Sequence, residues 1–159
     1  MAVIPIPASK YEYRRMLPHY QKTGHPIFVT FCKLNKEPFP DAARELVLAH
    51  CLYDHGTRYD LHAAVVMPDH VHLLLTPQAD EEGWPHPLPS ILKRIKGVSA
   101  RSVNKLIGTS GPMWQEESFD HVLRSDESLQ QKREYIRQNP VRRGLATTPE
   151  EYHWLWLKP

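Results

Sequence analysis

Cysteine is scarce in this chain of 159 residues: there are two, Cys32 and Cys51. They fall in stretches that read as a strand and a helix, so no disulfide framework is expected, and the thiols are expected reduced in the cytoplasm. Long apolar runs are missing as well. The opening MAVIPIPASK is interrupted by Pro5 and Pro7 and is not read as a secretory segment. No later stretch approaches the ~18 apolar residues of a membrane span, so no membrane partner is expected. There is no internal repeat and no long low-complexity tract; the nearest, WPHPLP at 84–89, reads as a loop. Nor does charge of one sign dominate, since 20 Lys and Arg against 18 Asp and Glu leave a net +2, which by itself indicates no polyanionic partner. What is present, 41% hydrophobic and 24% charged residues, suits one compact domain over 1–159 that buries roughly two thirds of its unfolded surface.

The order of elements follows from local pattern. Residues 26–33, PIFVTFCK, are β-branched and aromatic, and predict a strand. Over 41–54, Ala42, Leu46, Ala49 and Leu52 recur at helical intervals until Gly56. Two apolar runs, 59–67 and 70–76, are joined by Pro68 and Asp69, which is turn chemistry between antiparallel strands. A helix over 88–107 follows from Leu88, Leu92, Ile95, Val103 and Leu106, and 118–124 reads as extended. A last helix starts from the N-cap Ser125, with Asp126 and Glu127 in its first turn, and is expected to stop at Asn139 because of Pro140 and Gly144. Strand, helix, strand, strand, helix, strand, helix gives an α+β class: a ferredoxin-like antiparallel sheet with helices, plus an extra C-terminal helix.

Two positions apart on a strand, His70 and His72 share a face while Val71, Leu73 and Leu75 point the other way. Such neighbours lie about 6.6 to 7 Å apart at Cα, a gap that two ring nitrogens can close onto one ion at bond lengths of about 2.1 Å. The bland alternative is two strand histidines that each find a hydrogen bond. Barrel amidohydrolases also use His-x-His, but this chain is too short for a barrel of ~250 residues. A longer His-x-His-x-Asp-His run is excluded because Leu74 and Leu75 stand at its last positions. A single-metal site completed from elsewhere remains.

On the last helix, Tyr135 and Asn139 are four residues apart and share a face. The amide oxygen of Asn139 suits a hard cation such as Mg²⁺ or Mn²⁺, and the phenol of Tyr135 becomes a nucleophile once deprotonated. With the histidine pair they make a phosphoryl-transfer set, in which a metal acts as Lewis acid on a scissile phosphate. Taken singly, Tyr135 reads as a packed aromatic and Asn139 as a helix-end residue; the combination carries the argument. Lys93, Arg94, Lys96, Arg101 and Lys105 fall in a stretch with no acidic residue, and Arg14 with Arg15 and Arg142 with Arg143 form two more clusters. They are candidate contacts to a phosphate backbone, or solvated helix faces. Tyr11, Tyr13, Trp114, Trp154 and Trp156 suit base stacking or a core equally.

Four ordered segments resemble the HUH-type tyrosine transposases, closest to the REP-associated branch: RRMLPHYQKTGHPIFVTF at 14–31, MPDHVHLLL at 67–75, WQEESFDHVLR at 114–124 and YIRQNPVRRGL at 135–145. The resemblance spans most of the chain. It implies a ferredoxin-like fold, Tyr135 as the single nucleophile, and His70 and His72 as metal ligands. Asn139 stands where the family has a third polar ligand, usually Gln, and the adjacent Gln138 leaves that assignment open. Asp120 and His121 match an Asp-His pair to which the residues assign no role. The implied activity is metal-dependent cleavage and rejoining of single-stranded, hairpin or repetitive palindromic DNA through a covalent 5′-phosphotyrosine, in transposition or a domesticated derivative of it. The alternative is a hairpin-DNA-binding protein without chemistry. A larger relaxase or replication initiator is disfavoured by the short chain. The branch implies a nucleoid-associated protein that acts as a monomer rather than a homodimer.

Overall fold

A computed structural model describes residues 24–159; Tyr11, Tyr13, Arg14 and Arg15 lie outside the described residues. In chain order the elements are β1 (Ile27–Cys32), α1 (Asp41–Tyr53), β2 (Tyr59–Val66), β3 (His70–Pro77), α2 (Leu88–Ile107), β4 (Phe119–Val122), α3 (Asp126–Arg142), a 3₁₀ turn (Pro149–Glu151) and β5 (Leu155–Leu157). The strands form one antiparallel sheet in the order β4-β1-β3-β2-β5. The first four strands with α1 and α2 make the expected ferredoxin-like unit. Strand β5, which the sequence pattern did not suggest, extends the sheet beside β2. It is held there by the Val66 amide donating to the Trp154 carbonyl at 2.9 Å.

Both faces of the sheet are covered, which explains why its central strands are nearly continuous apolar runs. One core, under α1 and α2, takes Val29, Phe31, Val71, Leu73 and Leu75. The other, under α3, takes Phe28, Val65, Leu74 and Ile136. Leu61 and Ala64 both enter the first core although three positions apart, because a bulge between Leu61 and Ala63 shifts the register. Strand β3 thus presents Val71, Leu73 and Leu75 to α1 and α2, and His70, His72 and Leu74 to α3.

The helices differ from expectation in two respects. Helix α1 buries Ala43, Val47, Leu48 and Cys51; of the residues at helical intervals, Leu46 and Leu52 pack against the same core while Ala42 and Ala49 are exposed. The segment is apolar over most of its circumference, so periodicity alone does not select the buried side. Helix α3 begins at the Ser125 cap, which accepts from the Ser128 amide at 3.1 Å, but it runs through Pro140 to Arg142. The missing Pro140 N–H removes one helical bond. The last turn is nonetheless closed by the Arg143 amide on the Asn139 carbonyl at 3.0 Å and the Leu145 amide on the Pro140 carbonyl at 2.9 Å. Pro140 itself is buried, and Gly144, at φ 72°, then takes the left-handed conformation that ends the turn.

Candidate active site

His70 and His72 stand side by side on the α3 face of β3, both buried at 7% exposure, with ring centroids 4.8 Å apart. Each ring is tethered at Nδ1. His70 donates to the Asp69 carboxylate at 2.7 Å, an acceptor supplied by the hairpin turn. Thr30, directly opposite His72 in the β1–β3 register, places its hydroxyl 2.7 Å from the other Nδ1. Both contacts engage Nδ1 and fix the orientation of the ring, the arrangement that outer hydrogen bonds impose on metal-binding histidines. Burial, then the neighbouring His70 and the cations Arg143, Arg142 and Lys132, pushes the His72 pKa down to about 3. The ring is therefore neutral and available as a ligand across the physiological range. Burial raises the Asp69 carboxyl, but its hydrogen bond and charge interaction with His70 and the cations Lys36 and Arg143 outweigh this and hold it below the ordinary carboxylate range.

Helix α3 brings Tyr135 to the pair. Its ring centroid is 5.8 Å from that of His72 and 5.8 Å from that of Phe28, which itself stacks on His72 at 5.4 Å. Tyr135 stays 40% exposed, an accessible phenol on a packed ring. One helical turn on, Asn139 is buried at 4% exposure and its Oδ1 has no hydrogen-bond partner. Gln138 is turned elsewhere and donates to Glu134 at 3.0 Å. His70, His72, Asp69, Tyr135, Asn139 and Arg143 line one cleft of about 360 Å³. Among the described residues no group of three or more His, Cys, Asp or Glu side chains is placed to hold a metal. Besides the Asp69 carboxylate, which His70 engages, the cleft offers two imidazoles and an orphaned amide oxygen, a set that fits a divalent cation with positions left over for phosphate oxygens.

Residues 27–139 match the family described as IS200-like transposases. The chain belongs to that family. Among solved structures it is similar to a REP-associated tyrosine transposase bound to a REP hairpin, with a TM-score of 0.67, 21% identity, and coverage of 86% of this chain and 78% of that one. It is also similar to a bacterial tRNA(His) guanylyltransferase (Thg1)-like protein in complex with GTP, with a TM-score of 0.54, 12% identity, and coverage of 86% and 73%. At these identities the likeness is one of fold. No curated protein matches the chain.

Not every candidate residue of this IS200-like transposase lies at the cleft. Arg142 and Arg143 do: the Arg142 guanidinium sits 4.4 Å from the Tyr135 ring centroid and donates to the Tyr135 carbonyl at 2.7 Å, and Arg143 lines the cleft wall. Helix α2, with Lys93, Arg94, Lys96, Arg101 and Lys105, covers the opposite sheet face, because its apolar stripe packs into the first core. There Arg94 pairs with Asp54 at 2.7 Å. The Lys96 ammonium donates to the carbonyls of Gln115 and Glu116 and to the Ser118 hydroxyl. Trp114, Trp154 and Trp156 pack into or against that core. Asp120 and His121 point to opposite faces of β4, and Asp120 lines a separate cleft of about 520 Å³ beside α2.

Sequence reasoning missed Thr30, Asp69, Lys33, Lys36 and Lys132 as neighbours of the site. Lys33 and Lys36 line the cleft, and the Lys132 ammonium lies 4.7 Å from the Phe28 ring centroid and 5.3 Å from that of Tyr135. Lys132 was legible, standing three residues before Tyr135 on the same helix face, and Asp69 is adjacent to His70. Nothing local marks Thr30, which reaches the site through strand register.

Proposed function

We propose that this transposase cleaves and rejoins single-stranded DNA, in hairpin or repetitive palindromic elements, through a covalent bond between Tyr135 and a 5′-phosphate. One observation carries the reading: an accessible tyrosine, two tethered histidines and an orphaned amide oxygen share a single cation-rimmed cleft. His70 and His72 through Nε2, and Asn139 through Oδ1, would hold Mg²⁺ or Mn²⁺. When bound, such an ion supplies Lewis-acid stabilisation of the charge that develops on the phosphate. The two tethers orient the imidazoles, and burial keeps the His72 ring neutral. Phe28 and Arg142 fix the Tyr135 ring, and Arg143, Lys33 and Lys36 supply positive charge that holds the DNA backbone against it. The Tyr135 oxygen attacks phosphorus as the bond to the 3′-oxygen breaks; the phenol proton goes to solvent, and the leaving oxygen takes one up as a 3′-hydroxyl. One phosphate ester replaces another, so a 3′-hydroxyl can reverse the linkage without an external energy source. We read residues 1–159 as one domain working as a monomer.

The test is incubation of the purified protein with labelled single-stranded and duplex hairpin DNA, with Mg²⁺ or EDTA, followed by a denaturing gel. A metal-dependent adduct on single strands is expected, and Tyr135→Phe should abolish it while leaving binding nearly intact, since only the attacking oxygen is removed. An adduct that persists in that variant removes Tyr135 from the role.

A further inference from the structure

Strand β4 is the outer strand beside β1, and an exposed sheet edge is normally blunted by charged side chains or proline rather than furnished with large apolar ones. Phe119 is nevertheless 62% exposed there. It pairs with Thr30, whose hydroxyl bonds His72, so it projects on the same face as the histidines. Its ring meets Phe28 edge to face at 6.5 Å and 70°, and Phe28 meets Tyr135 the same way at 5.8 Å and 86°. One buried ring therefore separates two exposed ones, and the Lys132 ammonium sits over the buried ring. His121, two residues along, pairs with Phe28 and shares this face.

We propose that Phe119 is a stacking platform for an unpaired base of the strand whose phosphate meets Tyr135, with Lys132 between them holding the connecting backbone. The inference rests on the single-strand reading above. Ring and charge match the ligand: a nucleobase offers a π-face to an open aromatic, and the phosphate beside it needs a cation at a short, fixed offset. A paired base has its faces already stacked, so the platform selects single strands over duplex. Phe119 acts on binding and placement of the strand and takes no part in the bond exchange.

The test measures binding, in EDTA, of a labelled oligothymidylate and of an abasic strand of equal length and charge. Wild type is expected to prefer the base-bearing strand. Phe119→Ala should weaken oligothymidylate binding about 5- to 100-fold and leave abasic binding and the salt slope unchanged, while Phe119→Trp keeps the preference and gains a fluorescence quenched by the base-bearing strand alone. An equal loss on both strands, or no loss on either, overturns the platform while leaving the Tyr135 adduct assay to stand. No binding of any strand by wild type overturns both readings.

Discussion

The buried amide oxygen of Asn139 has no partner in the folded chain, and leaving such an acceptor unsatisfied costs about 1–3 kcal/mol. The proposed cation would recover that cost. Asn139→Leu, of nearly equal volume, is therefore expected to melt at or above the wild-type temperature in EDTA, and to lack the rise in melting temperature that Mn²⁺ is expected to give wild type under the proposed function. Gln138→Ala should keep the rise, since that side chain is engaged with Glu134. A retained Mn²⁺ shift in Asn139→Leu would assign the third donor elsewhere. His72 makes a prediction about pH. Its folded pKa of about 3 lies below the unfolded value of about 6.5, so between those limits the unfolded chain binds a proton that the folded chain excludes. Stability conferred by the neutral ring is complete above the unfolded pKa and falls as pH drops toward 3. Urea titrations at pH 7 and pH 5 in EDTA should show a shallower loss for His72→Gln than for wild type.

At the level of elements, α3 is what turns a covered sheet into a site. The Ser125 cap sets its start, and the buried face of Ile136, Asn139 and Pro140 sets its rotation, which carries Tyr135 to the rim of the cleft. The loop before β4 is positioned by a different device. Lys96 reaches from α2 to two carbonyls and a hydroxyl of residues 115–118, and burial lowers its pKa against the pull of Glu117 and Glu116. These contacts tie the loop to the helix. Lys96→Met should lower the melting temperature by roughly 2–5 °C and leave the salt dependence of DNA binding unchanged. A smaller salt slope with unchanged melting would instead place Lys96 on the DNA.

For the molecule as a whole, the layering decides where a polyanion can lie. Lys33, Lys36, Lys132, Arg142 and Arg143 gather at the cleft and the Tyr135 ring, while the cations of α2 lie across the sheet. Counterion release then predicts that neutralising Lys132 and Arg143 together lowers the slope of log affinity against log salt by about 1 to 2, and that neutralising Lys93 and Lys105 does not. Binding titrations over a range of salt concentrations distinguish the two faces. The reverse result would put the strand along α2.

Sequence periodicity by itself determined the order of elements from β1 through α3, the shared face of His70 and His72, and the one-turn spacing of Tyr135 and Asn139, because each of these depends on the rise and repeat of a single element. Most of the candidate site was legible for that reason. Only the tertiary structure decided that Thr30 tethers His72, since this requires pairing across 42 residues of chain. It also set α3 against the face opposite α2, separating two groups of cations that look alike in the sequence. Helix α1 buries Val47, Leu48 and Cys51 most deeply while Ala42 and Ala49 stay exposed, the three residues of β5 were too short to show alternation, and Pro140 stayed helical inside a packed turn. In each case local pattern permits several outcomes, and burial against a specific partner selects one.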